Sequence, residues 1–124
     1  MSKELKFLCL DPDGTFRWIH TNRRQLLADF HVAIGCDMLE YVQLPFRFGC
    51  VVDECGKIKA DPQPVNPYAS LLYPGTPYGD PLVGPVIFVR IDLVDGEPDW
   101  CPLHSFQISF LESFLGLEVP NDGE

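Results

Sequence analysis

No lysine or arginine follows Arg90: all nine basic residues lie within residues 1 to 90, against ten acids, and residues 91 to 124 carry eight acids alone. The formal net charge of -9 is therefore a property of the last third of the chain. Such a field repels phosphate backbones and favours a basic partner, so direct nucleic-acid binding is not expected. No apolar run approaches the roughly 20 residues of a membrane span. The one apolar stretch near the start, Phe7 to Leu10, ends at once in Asp-Pro-Asp-Gly, which excludes a secretory core and leaves the cytoplasm as the expected location.

Close cysteine pairs are also missing. Cys50 and Cys55 are separated by four residues, wider than the pairs structural zinc prefers, and Cys9, Cys36 and Cys101 stand alone. An odd count without a signal peptide points to reduced, mostly buried thiols and no metal. Gly75, Gly79 and Gly84 are interrupted by proline and acid and lack the lysine of a nucleotide loop. Cys101 and His104 are the only close thiol and imidazole, with no evident orienting group. The carboxylate pairs Asp11/Asp13 and Asp53/Glu54 fall in a tight turn and at a strand end, where each has a structural task. No catalytic residue and no cofactor are expected.

What is present describes a folded domain. At 124 residues, 46% hydrophobic and 22% charged, the chain is long enough for one core and too short for two ordinary domains. A single domain over residues 1 to 124 is predicted, with 1–4 and 117–124 loose. Period-two runs Leu5 to Cys9 and Phe16 to His20 flank Asp11-Pro12-Asp13-Gly14, a hairpin signal. Leu26, Leu27, Phe30 and Ile34 predict a helix from Asn22 to Ile34, stopped by Gly35. Arg23 and Arg24 then sit in its first turn, where cations oppose the dipole, either as two solvated side chains or held for a partner.

Strands are predicted at Cys36 to Leu44 and Phe48 to Glu54, with a Cys55-Gly56 turn and a return strand at Lys57 to Ala60. Phe46-Arg47-Phe48 lies between the first two, as core packing or as a small recognition tip. Asn66 caps a short helix from Pro67 to Tyr73. The stretch Asn66 to Arg90 holds five prolines, three glycines and three tyrosines before the strand Val86 to Val94, whose Ile87, Val89, Ile91 and Leu93 form the expected buried set. Asp95-Gly96 and Glu97-Pro98 make a second turn, and Ser105 caps a last helix ended by Gly116. The fold class is α+β: a mixed or mainly antiparallel sheet of five or six strands, two main helices and one short one, with the first and last helices on one face.

The order of VVDECGKIK, Asn66-Pro67 with Leu71 and Leu72, and YGDPLVGP feeding Val86 to Val89 resembles the family of the domain of unknown function DUF3846. The family's Gly-Asp-hydrophobic-hydrophobic-Gly turn is matched by Gly79, Asp80, Leu82, Val83 and Gly84, with Pro81 inserted. The resemblance covers about Phe7 to Leu115 in element order and Val51 to Val89 in motif. It implies an accessory protein of a bacteriophage, plasmid or conjugative element, and it carries no catalytic residue.

Two functions follow as expectations. In the first, a non-enzymatic protein binder, inhibitory in the manner of an anti-CRISPR, meets a host protein with a basic surface through Asp92, Asp95, Glu97, Asp99, Glu112 and Glu118. In the second, a small ligand or minor enzymatic substrate sits under the Tyr73 to Asp80 loop among Tyr68, Tyr73, Tyr78 and Asp80. Monomer and homodimer are both open, the latter through the strand Val86 to Val94 or the phenylalanine-rich last helix.

Overall fold

Two neighbouring residues on the same strand repeatedly face different cores, and this organises the molecule. In the computed structural model, which describes residues 3–59 and 61–122, six strands form one antiparallel sheet: β1 (Glu4–Leu10), β2 (Phe16–Asn22), β3 (Leu39–Gln43), β4 (Gly49–Asp53), β5 (Val86–Val94) and β6 (Glu97–Cys101). The order is β2-β1-β5-β4-β3, with β6 paired to the outer half of β5. The helices are α1 (Leu26–Ile34), α2 (Pro67–Ser70) and α3 (Ser105–Leu115), with one 3-10 turn at Thr76–Tyr78. This is the predicted α+β class.

Leu8, Leu10, Cys50, Val52, Val86 and Phe88 pack with Ala69 of α2 and Leu111 of α3. Their neighbours Phe7, Cys9, Val51, Ile87 and Val89 pack with Leu26, Phe30 and Ile34 of α1. The first and last helices thus cover opposite faces, which corrects the expectation of one shared face. It also corrects the buried set of β5. Every residue from Val86 to Val89 is buried, because both faces are covered, whereas Ile91 and Leu93 are 46% and 67% exposed.

Local chemistry explains where the elements begin and end. The hairpin turn closes through Asp11 and Thr15, whose amide donates to the Asp13 carboxylate. Gly14 takes φ +89, and a Cβ there would come within 2.8 Å of the Tyr68 ring, so only glycine fits. Asn22 ends β2 instead of opening α1: its Oδ1 accepts from the amides of Arg24 and Gln25, fixing a turn that delays the helix to Leu26. β3 is shorter than predicted, starting at Leu39.

The predicted return strand is absent over Lys57 to Lys59, while Ala60 lies outside the described residues. Amides of Ile58 and Lys59 both donate to the Cys55 carbonyl, and the Lys59 ammonium turns back to the buried Asp53 carboxylate, which also accepts from Cys55 N and Gln63 Nε2. That knot curls the chain away from the sheet.

Asn66 is the fully buried junction of the second half. Its Oδ1 accepts from Ala69 N, and its Nδ2 donates to the carbonyls of Leu10 and Gly84, each at 3.0 Å. Ser70 Oγ accepts from Leu82 N and donates to the Asn66 carbonyl, so α2 stops there and does not reach Tyr73. At α3 the expected Ser105 cap is replaced by Gln107, whose Oε1 accepts from His104 N at 2.7 Å.

The tail is not loose where it is described. Leu117 and Val119 pack on the core, Val119 N donates to Glu112, Trp18 Nε1 donates to the Pro120 carbonyl, and Asp122 pairs with Lys6. Residues 1–2 and 123–124 of the predicted loose ends lie outside the described residues, and Glu4 already belongs to β1.

Candidate functional site

Beyond Val89 the strand β5 leaves β1 and β4 and continues with β6 alone, as a two-stranded ribbon. Asp95 at φ 54 and Gly96 at φ 83 both take the left-handed conformation that a tight primed turn requires. The sequence reading placed only turns here. Pro98 and the surrounding acids hide the strand, although Asp-Gly between extended segments is the signal that could have revealed it.

Residues directly opposite in an antiparallel pair share a face. Ile91 with Trp100 and Leu93 with Pro98 make one side of the ribbon apolar; Arg90 with Cys101, Asp92 with Asp99, and Val94 with Glu97 make the other polar and acidic. Trp100 anchors the apolar side by stacking on Phe30 of α1, with centroids 5.7 Å apart and planes at 11°. Leu27, exposed on α1, borders the same surface beside Trp100.

Two arginines fix the ribbon, Arg23 from outside it and Arg90 from within. Arg23 Nη1 donates to the Trp100 carbonyl at 2.6 Å and lies 3.2 Å from Asp99. Its partner is therefore internal, which answers the expectation that it is held for another molecule. Arg90 Nε donates to the Pro102 carbonyl and Nη1 to Asp92, both at 2.7 Å. The Leu93 amide and then Arg90 hold the Asp92 carboxyl below its ordinary range, keeping it anionic.

Of the six acids predicted for this face, Asp92, Asp95, Glu97 and Asp99 come together on the ribbon. Glu112 does not: it lies on α3 and accepts from the tail amide of Val119. Glu118 is exposed in the tail.

The alternative site is a cleft of about 240 Å³ between β3, β4 and the loop 73–83. Asp80 pairs with Lys57 and accepts from Tyr73 Oη at 3.2 Å. Lys57 holds the Asp80 carboxyl low; burial and then the Asp80 charge push the Tyr73 phenol up. Tyr73 therefore keeps its proton and donates it to an internal partner. Tyr68 instead covers Gly14, and Tyr78 is 89% exposed on the 3-10 turn, so neither joins the cleft. Glu40, Glu54 and Lys57 also line it and were not anticipated; they come from strand and turn positions without a motif.

The remaining chemical candidates do not assemble. Cys101 Sγ contacts the Asp99 carbonyl and Arg23, while His104 stacks on Phe106. All five cysteines are unpaired, and burial pushes the Cys9 and Cys50 thiols up to about 12. Among the described residues no three His, Cys, Asp or Glu side chains gather as a metal ion would need, and no helix is long and apolar enough to cross a membrane.

Comparison with known proteins adds one match: the family model described as Domain of unknown function (DUF3846) aligns with residues 5–115. No curated protein and no solved structure matches the chain.

Proposed function

The chain belongs to the DUF3846 family, and we propose that it works as a protein-binding accessory factor of a bacteriophage or other mobile element, acting in the bacterial cytoplasm. Its partner is a host protein with a basic surface, of the kind used in nucleic-acid processing or in defence, and binding blocks that protein. The observation that carries this reading is the two-sided β5–β6 ribbon. Ile91 and Leu93 expose apolar area on one side of the ribbon, and of the four carboxylates on its other side and tip two, Asp92 and Asp99, meet an arginine among the described residues. Exposed apolar area suits a protein interface, and the uncompensated carboxylates favour a cationic surface on the partner.

The cleft has less support as a ligand site. It is smaller than the roughly 300 Å³ at which ligand pockets begin, and its strongest polar groups, Lys57, Asp80 and Tyr73, already satisfy one another.

The test is affinity capture from host lysate with the wild-type protein beside two ribbon variants, Ile91→Ser/Leu93→Ser and Asp95→Asn/Glu97→Gln. A basic protein retained by the wild type and lost from both variants supports the reading. Equal capture by all three proteins sinks it.

A further inference from the structure

Between α3 and the β3–β4 turn lies a second, chemically different pocket of about 300 Å³. Its walls are aromatic: Phe46 packs on Phe110 with centroids 5.0 Å apart, Phe48 lies 6.4 Å from Phe110, and Phe106 is 69% exposed at the open side. Among the described residues only two polar side chains, Arg47 and Gln107, line it.

Both are free donors. Lys6, Arg17, Arg23, Lys57, Lys59 and Arg90 meet carboxylates, whereas Arg47, like Lys3 and Arg24, has no ion pair or side-chain hydrogen bond among the described residues. It is exposed and held at φ 63, a conformation costly for a residue with a Cβ. Gln107 is 8% exposed. Its Oε1 accepts from His104 N, which fixes the amide and leaves Nε2 without a partner. Every buried side-chain nitrogen and oxygen among the described residues is satisfied, so this nitrogen keeps some contact with solvent, and Gln107 is among the residues that line the pocket.

An apolar cavity lined by an arginine without a carboxylate partner is complementary to an apolar anion. We propose that this pocket binds a small monocarboxylate with an aromatic or medium-length apolar body. The body lies among Phe46, Phe48, Phe106 and Phe110, and the carboxylate accepts from the Arg47 guanidinium and Gln107 Nε2. At the roughly 30 Å³ that a water molecule takes up in the liquid, the volume equals about ten waters, room for a molecule of octanoate's size. An amine is disfavoured, because it would meet the Arg47 cation. This site is separate from the ribbon and stands or falls independently of the partner proposed above.

Titration calorimetry with octanoate, 1-octanol and octylamine tests it, on the wild type, Arg47→Gly and Phe106→Ala. Glycine accepts φ 63 without strain, so Arg47→Gly removes the donor and keeps the fold, which circular dichroism checks. Octanoate is expected to bind at least about fivefold more tightly than 1-octanol, the difference expected of a charge-assisted hydrogen bond. Octylamine should not bind, and Arg47→Gly should bring octanoate down to the level of the alcohol. Phe106→Ala should weaken both. No octanoate binding up to its solubility, a preference below about fivefold over the alcohol, or unchanged octanoate binding by Arg47→Gly overturns the proposal.

Discussion

Asp92 and Asp99 stand directly opposite one another across the β5–β6 ladder, and each carboxylate is held by a different arginine, Arg90 at 2.7 Å and Arg23 at 3.2 Å. Like charges at such a position destabilise a strand pair. Here each is drawn towards an arginine, Asp99 to Arg23, rooted before α1, and Asp92 to Arg90, rooted in β5 itself, so the ribbon persists although both of its strands are acidic.

Removing one of those roots should loosen β6 before it unfolds the domain. Arg23→Ala loses the bond to the Trp100 carbonyl and the charge beside Asp99. With both side chains partly exposed, the expected global cost is only about 1 kcal/mol. Amide hydrogen exchange should show a larger drop in protection at Trp100 and Cys101 than in β1 or β4. Uniform loss across the sheet would contradict a local clamp.

A second expectation concerns acid stability. Burial raises the Asp53 carboxyl, but hydrogen bonds from Lys59, Gln63 and the Cys55 amide outweigh it and hold the group below its ordinary value. A carboxyl depressed in the folded state contributes stability that is fully present above the unfolded value of about 3.9 and is lost as pH falls through the lower folded value. Asp53→Asn should cost about 2 kcal/mol at pH 7 and flatten the decline of Tm between pH 5 and pH 2. A variant with the same acid slope as the wild type would assign that slope to other groups.

Asn66 should be the most sensitive polar position. Replacement by alanine removes a helix cap and leaves the buried carbonyls of Leu10 and Gly84 without their donor. The expected loss is about 3 kcal/mol in urea unfolding. Asn66→Asp restores the acceptor but not the donor, so it should recover only part of the loss. Full recovery would mean that the cap alone matters.

Arg47→Gly should behave in the opposite sense. At φ 63 the glycine relieves strain, and the variant is expected to match or exceed wild-type stability by up to about 1 kcal/mol. A lowered Tm would show that the arginine side chain supports the fold.

Where the folding information is local, the sequence was readable. The Asp-Pro-Asp-Gly hairpin, the Leu26, Phe30, Ile34 spacing, the Asn66-Pro67 cap and the Gly116 stop all appear within a few residues of their predicted places. What depends on distant partners was not. The curl at Lys59 needs Asp53 and Gln63, and the role of Arg23 needs Trp100, 77 positions away.

The alternation of β5 could not assign faces, because a strand covered on both sides has no polar face to show until Arg90. Composition alone found the acidic quartet of the ribbon. It could not separate Glu112 and Glu118 from that quartet, nor Tyr68 and Tyr78 from Tyr73.

The two tryptophans occupy places that make them independent reporters. Trp18 bonds to the tail through Pro120, and Trp100 stacks on Phe30 beneath the ribbon. In a Trp18→Phe protein the tryptophan emission therefore comes from the ribbon alone, and in a Trp100→Phe protein from the part of β2 on which the tail docks. The molecule carries its own pair of optical probes, one for each side of the sheet.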